Sequence, residues 1–139
     1  MARFREEGHM KIAIASVAII AAWLAQAAAT PTADQRSVIV RQWHGKTTAA
    51  DADRYEHYLA ESIKKFTTIP GNRGYQLLRE DVGNLTHFSV LSFWDSRDSI
   101  HGYAGADISK VRPLPRDPEF LIEPEANVRN YDLRVDARR

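Results

Sequence analysis

The chain has no cysteine. That excludes a disulfide framework, thiolate metal sites, thiol catalysis and a lipid anchor on cysteine. It does not exclude export, because a domain with an adequate apolar core folds without staples. Excess charge is equally scarce, with a formal net charge of +1. Binding a phosphate backbone needs a basic patch or stripe. The only basic concentration is the tail, Arg134, Arg138 and Arg139, and Asp136 interrupts it. It reads as a solvated end, and no nucleic-acid partner is expected. Flavin and nucleotide motifs are absent, and no histidine pair has H-E-x-x-H or comparable metal spacing. Neither a cofactor nor a metal is expected.

Long apolar runs are rare as well. The run Ile12 to Ala25 is broken only by Ser16. It is short for a membrane span, which needs about 20 apolar residues. Lys11 precedes it, and the small residues Ala25-Gln26-Ala27 and Ala27-Ala28-Ala29 follow. A basic residue, an apolar run and an A-x-A site are the three parts of a secretory signal peptide. Residues 1–29 are therefore expected to be a signal peptide and the protein periplasmic or secreted, an uncleaved hydrophobic anchor being the alternative. No stable membrane span is expected after cleavage. Glu6 and Glu7 are unusual in a positive leader, and Met10-Lys11 would make a more ordinary start. Residues 30–36 read as a linker, 37–135 as one domain and 136–139 as a tail.

The whole chain is 44% hydrophobic and 27% charged over 139 residues, one domain's worth of globular sequence. Ser37 to His44 is rich in β-branched and aromatic residues and reads as a strand. Thr47-Thr48 offers a helix N-cap, with Asp51 and Asp53 in the first turn. Ala52, Tyr55, Leu59, Ile63 and Phe66 then recur at three and four residues, one face of an amphipathic helix. Pro70-Gly71-Asn72 ends it. Gly74 to Glu80 and Thr86 to Trp94 read as strands joined by a hairpin at Gly83. Asp95-Ser96 caps a short helix from Arg97 to Tyr103, closed by Gly105. Ala106 to Arg112 is expected to form another helical turn. Pro113 to Phe120 is an irregular crossing, and Val128 to Val135 the last strand.

The order is β-α-β-β-α-β, which predicts an α+β, ferredoxin-like fold. Its four-stranded antiparallel sheet carries both helices on one face. The strands are apolar on both sides. Phe88, Val90 and Trp94 oppose Leu91 and Phe93, and Val38 and Val40 oppose Ile39 and Trp43. Two helices cover one face only, and a bare second face exceeds the apolar patch that monomers tolerate. The simplest cover is a second copy, sheet on sheet, so a homodimer is expected. Phe93 is assigned to the inter-subunit side.

Several segments resemble the antibiotic biosynthesis monooxygenase superfamily of dimeric α/β barrels. They are Arg41 to Gly45, Tyr55 to Leu59, Pro70 to Gly74, Phe93-Trp94-Asp95-Ser96 running into Ile100 to Asp107, Phe120 to Glu123, and Tyr131. The strand-to-helix signature ending in Trp-Asp-Ser is the most specific. The resemblance implies a ligand pocket between sheet and helices. Its characterised oxygenases of polycyclic phenols use an Asn and a Trp with an Arg or His nearby. Trp94 matches the tryptophan, while Ser89 to Phe93 offers no asparagine before it. Haem-degrading relatives carry an Asn on the first strand, where this chain has Arg41 and Gln42, and a His after the Trp, about one turn beyond His101.

The candidate site residues are Trp94, His101 and Arg41. Trp94 is either a pocket wall with an indole donor or a core aromatic. Arg41 sits on the side of Ile39 and Trp43, inside an apolar strand, and needs a partner. An ion pair with Asp132 or Glu80 is expected, and an anionic ligand is the alternative. His101 would be the general base, near neutral pH, among the histidines His44, His57, His87 and His101. Three functions follow, in this order. The first is a cofactor-independent monooxygenase of a phenolic small molecule. The second is a non-catalytic binder of an aromatic, apolar or haem-like ligand. The third is a structural or stress-related dimer.

Overall fold

A computed structural model describes residues 38–139. The signal-peptide and linker expectations, on residues 1–36, lie outside the described residues. Among the described residues no helix is long and apolar enough to cross a membrane.

The period-two segments form four strands, β1 (Ile39–Thr48), β2 (Asn72–Val82), β3 (Leu85–Trp94) and β4 (Arg129–Asp132). They pair antiparallel in the order β2-β3-β1-β4. That is the ferredoxin-like arrangement, with the first and third strands central. Register decides which side chains share a face. Ile39 lies opposite Trp94, Arg41 opposite Ser92, and Trp43 opposite Val90. These residues turn towards the helices.

Helix α1 (Ala52–Ile63) buries the face read from its spacing, Ala52, Tyr55, Leu59 and Ile63. A 3-10 turn over Lys64–Thr68 adds Phe66. They pack on Phe88 and Val90 of β3. Helix α2 (Arg97–Ala104) starts at Ser96, whose side chain accepts from the Ser99 N–H, and sets Ile100 against Ile39 and Trp94. Both helices thus cover the same face of the sheet.

Three local expectations are corrected. Thr47 and Thr48 belong to β1, and the N-cap of α1 is Asp51, whose backbone N–H donates to Thr48 Oγ1 at 3.2 Å. Ala106 to Arg112 forms no helix. Its Ile108 and Lys110 carbonyls accept from Arg41, and Lys110 bridges to Asn127. Acceptors committed across the chain are not free to close a helical turn. The last strand is only Arg129–Asp132, and the proline-rich crossing holds a short helix α3 (Asp117–Phe120) with Pro118 in its first turn.

Candidate functional site

Between the sheet and the helices lies a narrow cleft, a cavity of about 40 Å³ behind an open mouth. Tyr55, Leu59 and Ile63 of α1 form one wall, and Val90 and Ser92 of β3 another. Arg41 and Trp43 enter from β1, Tyr103 from α2, and Arg112, Leu114 and Asp117 from the crossing. Gly45 makes room for this wall. A Cβ there would stand 2.5 Å from the Trp43 ring, so any larger residue displaces the indole.

Arg41 is 4% exposed. Its guanidinium donates to the Ile108 carbonyl and, at 2.7 Å, to the Lys110 carbonyl. Among the described residues it has no carboxylate partner. The expected ion pair is therefore corrected. Asp132 binds Arg97 instead, at 2.8 Å, and Glu80 is exposed. Asp132 shares the rim with the N-terminus of α2 because β4 ends there. Burial holds the Arg41 pKa below its ordinary value. Two neutral carbonyls solvate the cation without balancing its charge.

Tyr103 lies between two cations. The Arg41 guanidinium is 6.0 Å from its ring centroid and that of Arg112 5.6 Å. Arg112 also donates to the Tyr103 carbonyl at 2.9 Å. Burial raises the Tyr103 pKa, and the two guanidinium groups pull it back.

The cleft's carboxyl is Asp117, 6% exposed. Tyr55 donates to its Oδ1 at 3.0 Å, and the Leu114 N–H to its Oδ2 at 2.8 Å. Burial raises the Asp117 pKa, and these two donors pull it back. Burial, with the Asp117 charge beside it, pushes the Tyr55 phenol well above its ordinary range.

The three residues expected at the site are not gathered equally. Arg41 lines the cleft. Trp94 stands behind it, fully buried and stacked on Tyr103 at 5.8 Å. Its indole N–H donates to Ser92 Oγ at 2.9 Å, and Ser92 Oγ donates to the Arg41 carbonyl at 3.4 Å. Trp94 thus braces the wall that carries Arg41. His101 is exposed, and its Nδ1 donates to the Gly105 carbonyl at 2.9 Å, at the end of α2. It is not among the residues lining the cleft. The sequence marks Tyr103, with Tyr55 and Tyr58, as a packing tyrosine whose hydroxyl could reach the pocket, but gives no chemical signal for Arg112 or Asp117. Their segments lack periodicity, and only the Asp117-Pro118 pair marks the start of a helical turn.

No histidine, cysteine or methionine lines the cleft, and the hydroxyl of Tyr55 is committed to Asp117. Haem held through a histidine does not fit these residues. Among the described residues no group of three or more His, Cys, Asp or Glu side chains could hold a metal ion.

A four-stranded antiparallel sheet with helices on one face and a cleft between them is the ferredoxin-like α+β class, and sequence comparison narrows it. The antibiotic biosynthesis monooxygenase family matches residues 36–110, more than half of the chain, and the chain belongs to that family. No curated protein matches the sequence. Among solved structures, a protein of unknown function from Nitrosomonas europaea superposes with a TM-score of 0.55 at 12% identity, covering 75% of this chain and 96% of that one. SnoaB, a cofactor-independent oxygenase from Streptomyces nogalater, gives 0.51 at 16% identity, covering 73% and 97%. The heme-degrader MhuD from Mycobacterium tuberculosis, with two hemes in its active site, gives 0.50 at 20% identity, covering 71% and 98%. At these identities the likeness concerns the fold.

Proposed function

We propose that the cleft binds a planar aromatic molecule bearing a phenolic oxygen and that the protein oxygenates it without a cofactor. One observation carries this reading. Arg41 is a buried cation with no carboxylate partner among the described residues, in a cleft whose other walls are mainly aromatic and aliphatic. A ligand oxyanion supplies the missing counter-charge, and flat rings match Trp43, Tyr55 and Tyr103.

The chemistry asks little of the protein. An electron-rich phenol or its keto tautomer loses a proton and passes an electron to O₂. Oxygen then joins the resulting carbon centre and water leaves. For anthrone the balance is one CH₂ and one O₂ going to one C=O and one H₂O. The protein supplies a proton acceptor, a cation at the developing oxyanion and a site sheltered from water. Arg41 is suited to the second task, and Trp94 to holding it in place through Ser92.

The proposal extends to assembly and location. Leu78, Val82 and Tyr131 are 47%, 50% and 43% exposed, and their register places all of them on the helix-free face. Leu91 lies on that face as well. A second copy covering it makes a homodimer. The run Ile12 to Ala25 supports export to the periplasm or medium. N-terminal sequencing of the exported protein reads this directly, and an intact residue 12 in the soluble fraction contradicts it.

The test of function is a titration with anthrone. Trp43 lies in the wall, so binding quenches tryptophan fluorescence, and oxygen uptake accompanies conversion to anthraquinone. Arg41→Met weakens binding about 10- to 100-fold, the worth of a hydrogen bond to a charged group. Quenching without oxygen uptake leaves a binding protein. Absence of both across a panel of polycyclic phenols removes the reading.

A further inference from the structure

A phenol that binds as its anion must lose its proton to something. In a cleft that shelters its ligand from water the acceptor belongs to the protein. Of the cleft's lining residues only one is a carboxylate. Asp117 is also the only group there whose ordinary chemistry lets it take a proton, because the other polar liners are two guanidinium groups, two phenols, an indole and a serine hydroxyl.

Its surroundings suit the role. Each carboxylate oxygen accepts one hydrogen bond, from Tyr55 and from the Leu114 N–H. An ionised carboxyl has about four acceptor sites, so lone pairs remain free. Asp117 is near enough to Tyr103 for its charge to oppose ionisation of that ring. Tyr103 is the residue on which Arg41 and Arg112 converge. Asp117 and Trp43 also line a second groove on the outer side, between Pro113, Pro118 and Leu121. Asp117 therefore stands in the wall that separates cleft from groove.

We propose that Asp117 accepts the proton of a phenol bound against Arg41, and that Tyr55 is the positioning residue that aims its carboxylate. This rests on the ligand reading above. In the step, the phenol O–H breaks and a carboxyl O–H forms. The electron pair stays on the phenolate oxygen, beside the Arg41 guanidinium. The charge inside the cleft does not change. Arg41 and carboxylate become Arg41 and phenolate, with Asp117 neutral.

The test counts protons with 4-nitrophenol, whose phenolate is yellow, on the full-length protein and its Asp117→Asn and Tyr55→Phe variants. The yellow band reports the bound anion. Calorimetry in two buffers of different ionisation enthalpy reports the protons released per phenol bound, from weakly acidic to neutral pH. Wild type is expected to release fewer protons than Asp117→Asn, the deficit approaching one per phenol where Asp117 is ionised beforehand. Tyr55→Phe keeps the deficit but moves its onset to higher pH, because the carboxylate has lost a donor that favours its charged form. A merely structural Tyr55 leaves the onset unmoved. Equal release by wild type and Asp117→Asn at every pH overturns the assignment while leaving the ligand reading in place. Absence of binding to wild type removes both. Should the Asn variant fail to fold, wild type still decides. Release that matches the ionisation of the phenol alone at every pH refutes Asp117 as acceptor.

Discussion

The two faces of the sheet carry polar residues under different rules. On the helix-covered face most polar groups are tied to partners, the exceptions being the buried Asn72 Nδ2 and Asn130 Oδ1. Arg41 is held by two carbonyls, Ser92 links Trp94 to the Arg41 backbone, and Thr86 donates to Asp81 at 2.7 Å. On the other face polar groups cluster and meet water. His44 and His87 stack, with Nε2 and Nδ1 3.0 Å apart, and Glu125 accepts from His44 Nδ1 at 2.8 Å. Lys46 pairs there with Glu123 at 2.8 Å. Desolvation explains the contrast. A polar group under the helices has no water to fall back on, so it is either satisfied or waiting for a ligand. A group on the open face needs no fixed partner. The cleft belongs to the first face, and that is why the buried Arg41 cation there carries meaning.

Substitutions on the two faces should therefore differ in size and in kind. Trp94→Ala should cost about 3–5 kcal/mol in denaturant unfolding, because it empties a fully buried site and strips Ser92 of its donor. The loss should not depend on protein concentration. Phe93→Ala, one residue away on the open face, should cost less. Its loss should shrink as the protein is diluted towards dissociation, if a partner copy supplies part of the cover. Equal, concentration-independent losses would mean that both faces are covered within one chain.

The next effect separates assembly from folding. Leu91→Asp should convert a dimer to a folded monomer in sedimentation, with the circular dichroism retained, whereas Val90→Asp on the covered face should abolish folding. Leu91 is a sharper probe than Phe93. The guanidinium of Arg138 lies 4.5 Å from the Phe93 ring and would pair with a carboxylate placed there. A wild-type mass of one chain at micromolar concentration would end the dimer proposal.

A smaller effect follows from Asp117. Burial raises its pKa in the folded protein above the ordinary 3.8. Between those values the folded state binds more protons than the unfolded one, so this group makes stability fall as pH rises through the window. Asp117→Asn should remove that slope, and its stability relative to wild type should improve from acid towards neutral pH. A deficit relative to wild type that grows as pH rises would reverse the sign assigned to burial. The smallest effect should come from Lys46→Ala. It breaks a pair whose Glu123 side chain is 80% exposed, and a change within about 0.5 kcal/mol is expected.

Much of the fold is legible in the residues themselves. The spacing of Ala52, Tyr55, Leu59 and Ile63 marks the buried stripe of α1, and Ser96 marks the start of α2. The alternation of Phe88 and Val90 against Leu91 sorts the two faces of β3. These are local signals. Repeat period and cap chemistry determine which way each side chain turns, whatever lies beyond. The cleft is a different matter. Arg41 was recognisable as a charge out of place, but its partners Ile108 and Lys110 lie 67 and 69 residues away. Tyr55 meets Asp117 across 62 residues. The segment that brings these groups in has no periodicity, because its backbone bonds to other elements rather than to itself. His101 shows the same limit from the other side. Sequence proximity placed it near Trp94, but the turn of α2 carries its ring to the surface and Tyr103 into the cleft. Which charge faces which across a cavity is set by the path of the chain in space, and no local pattern encodes that path.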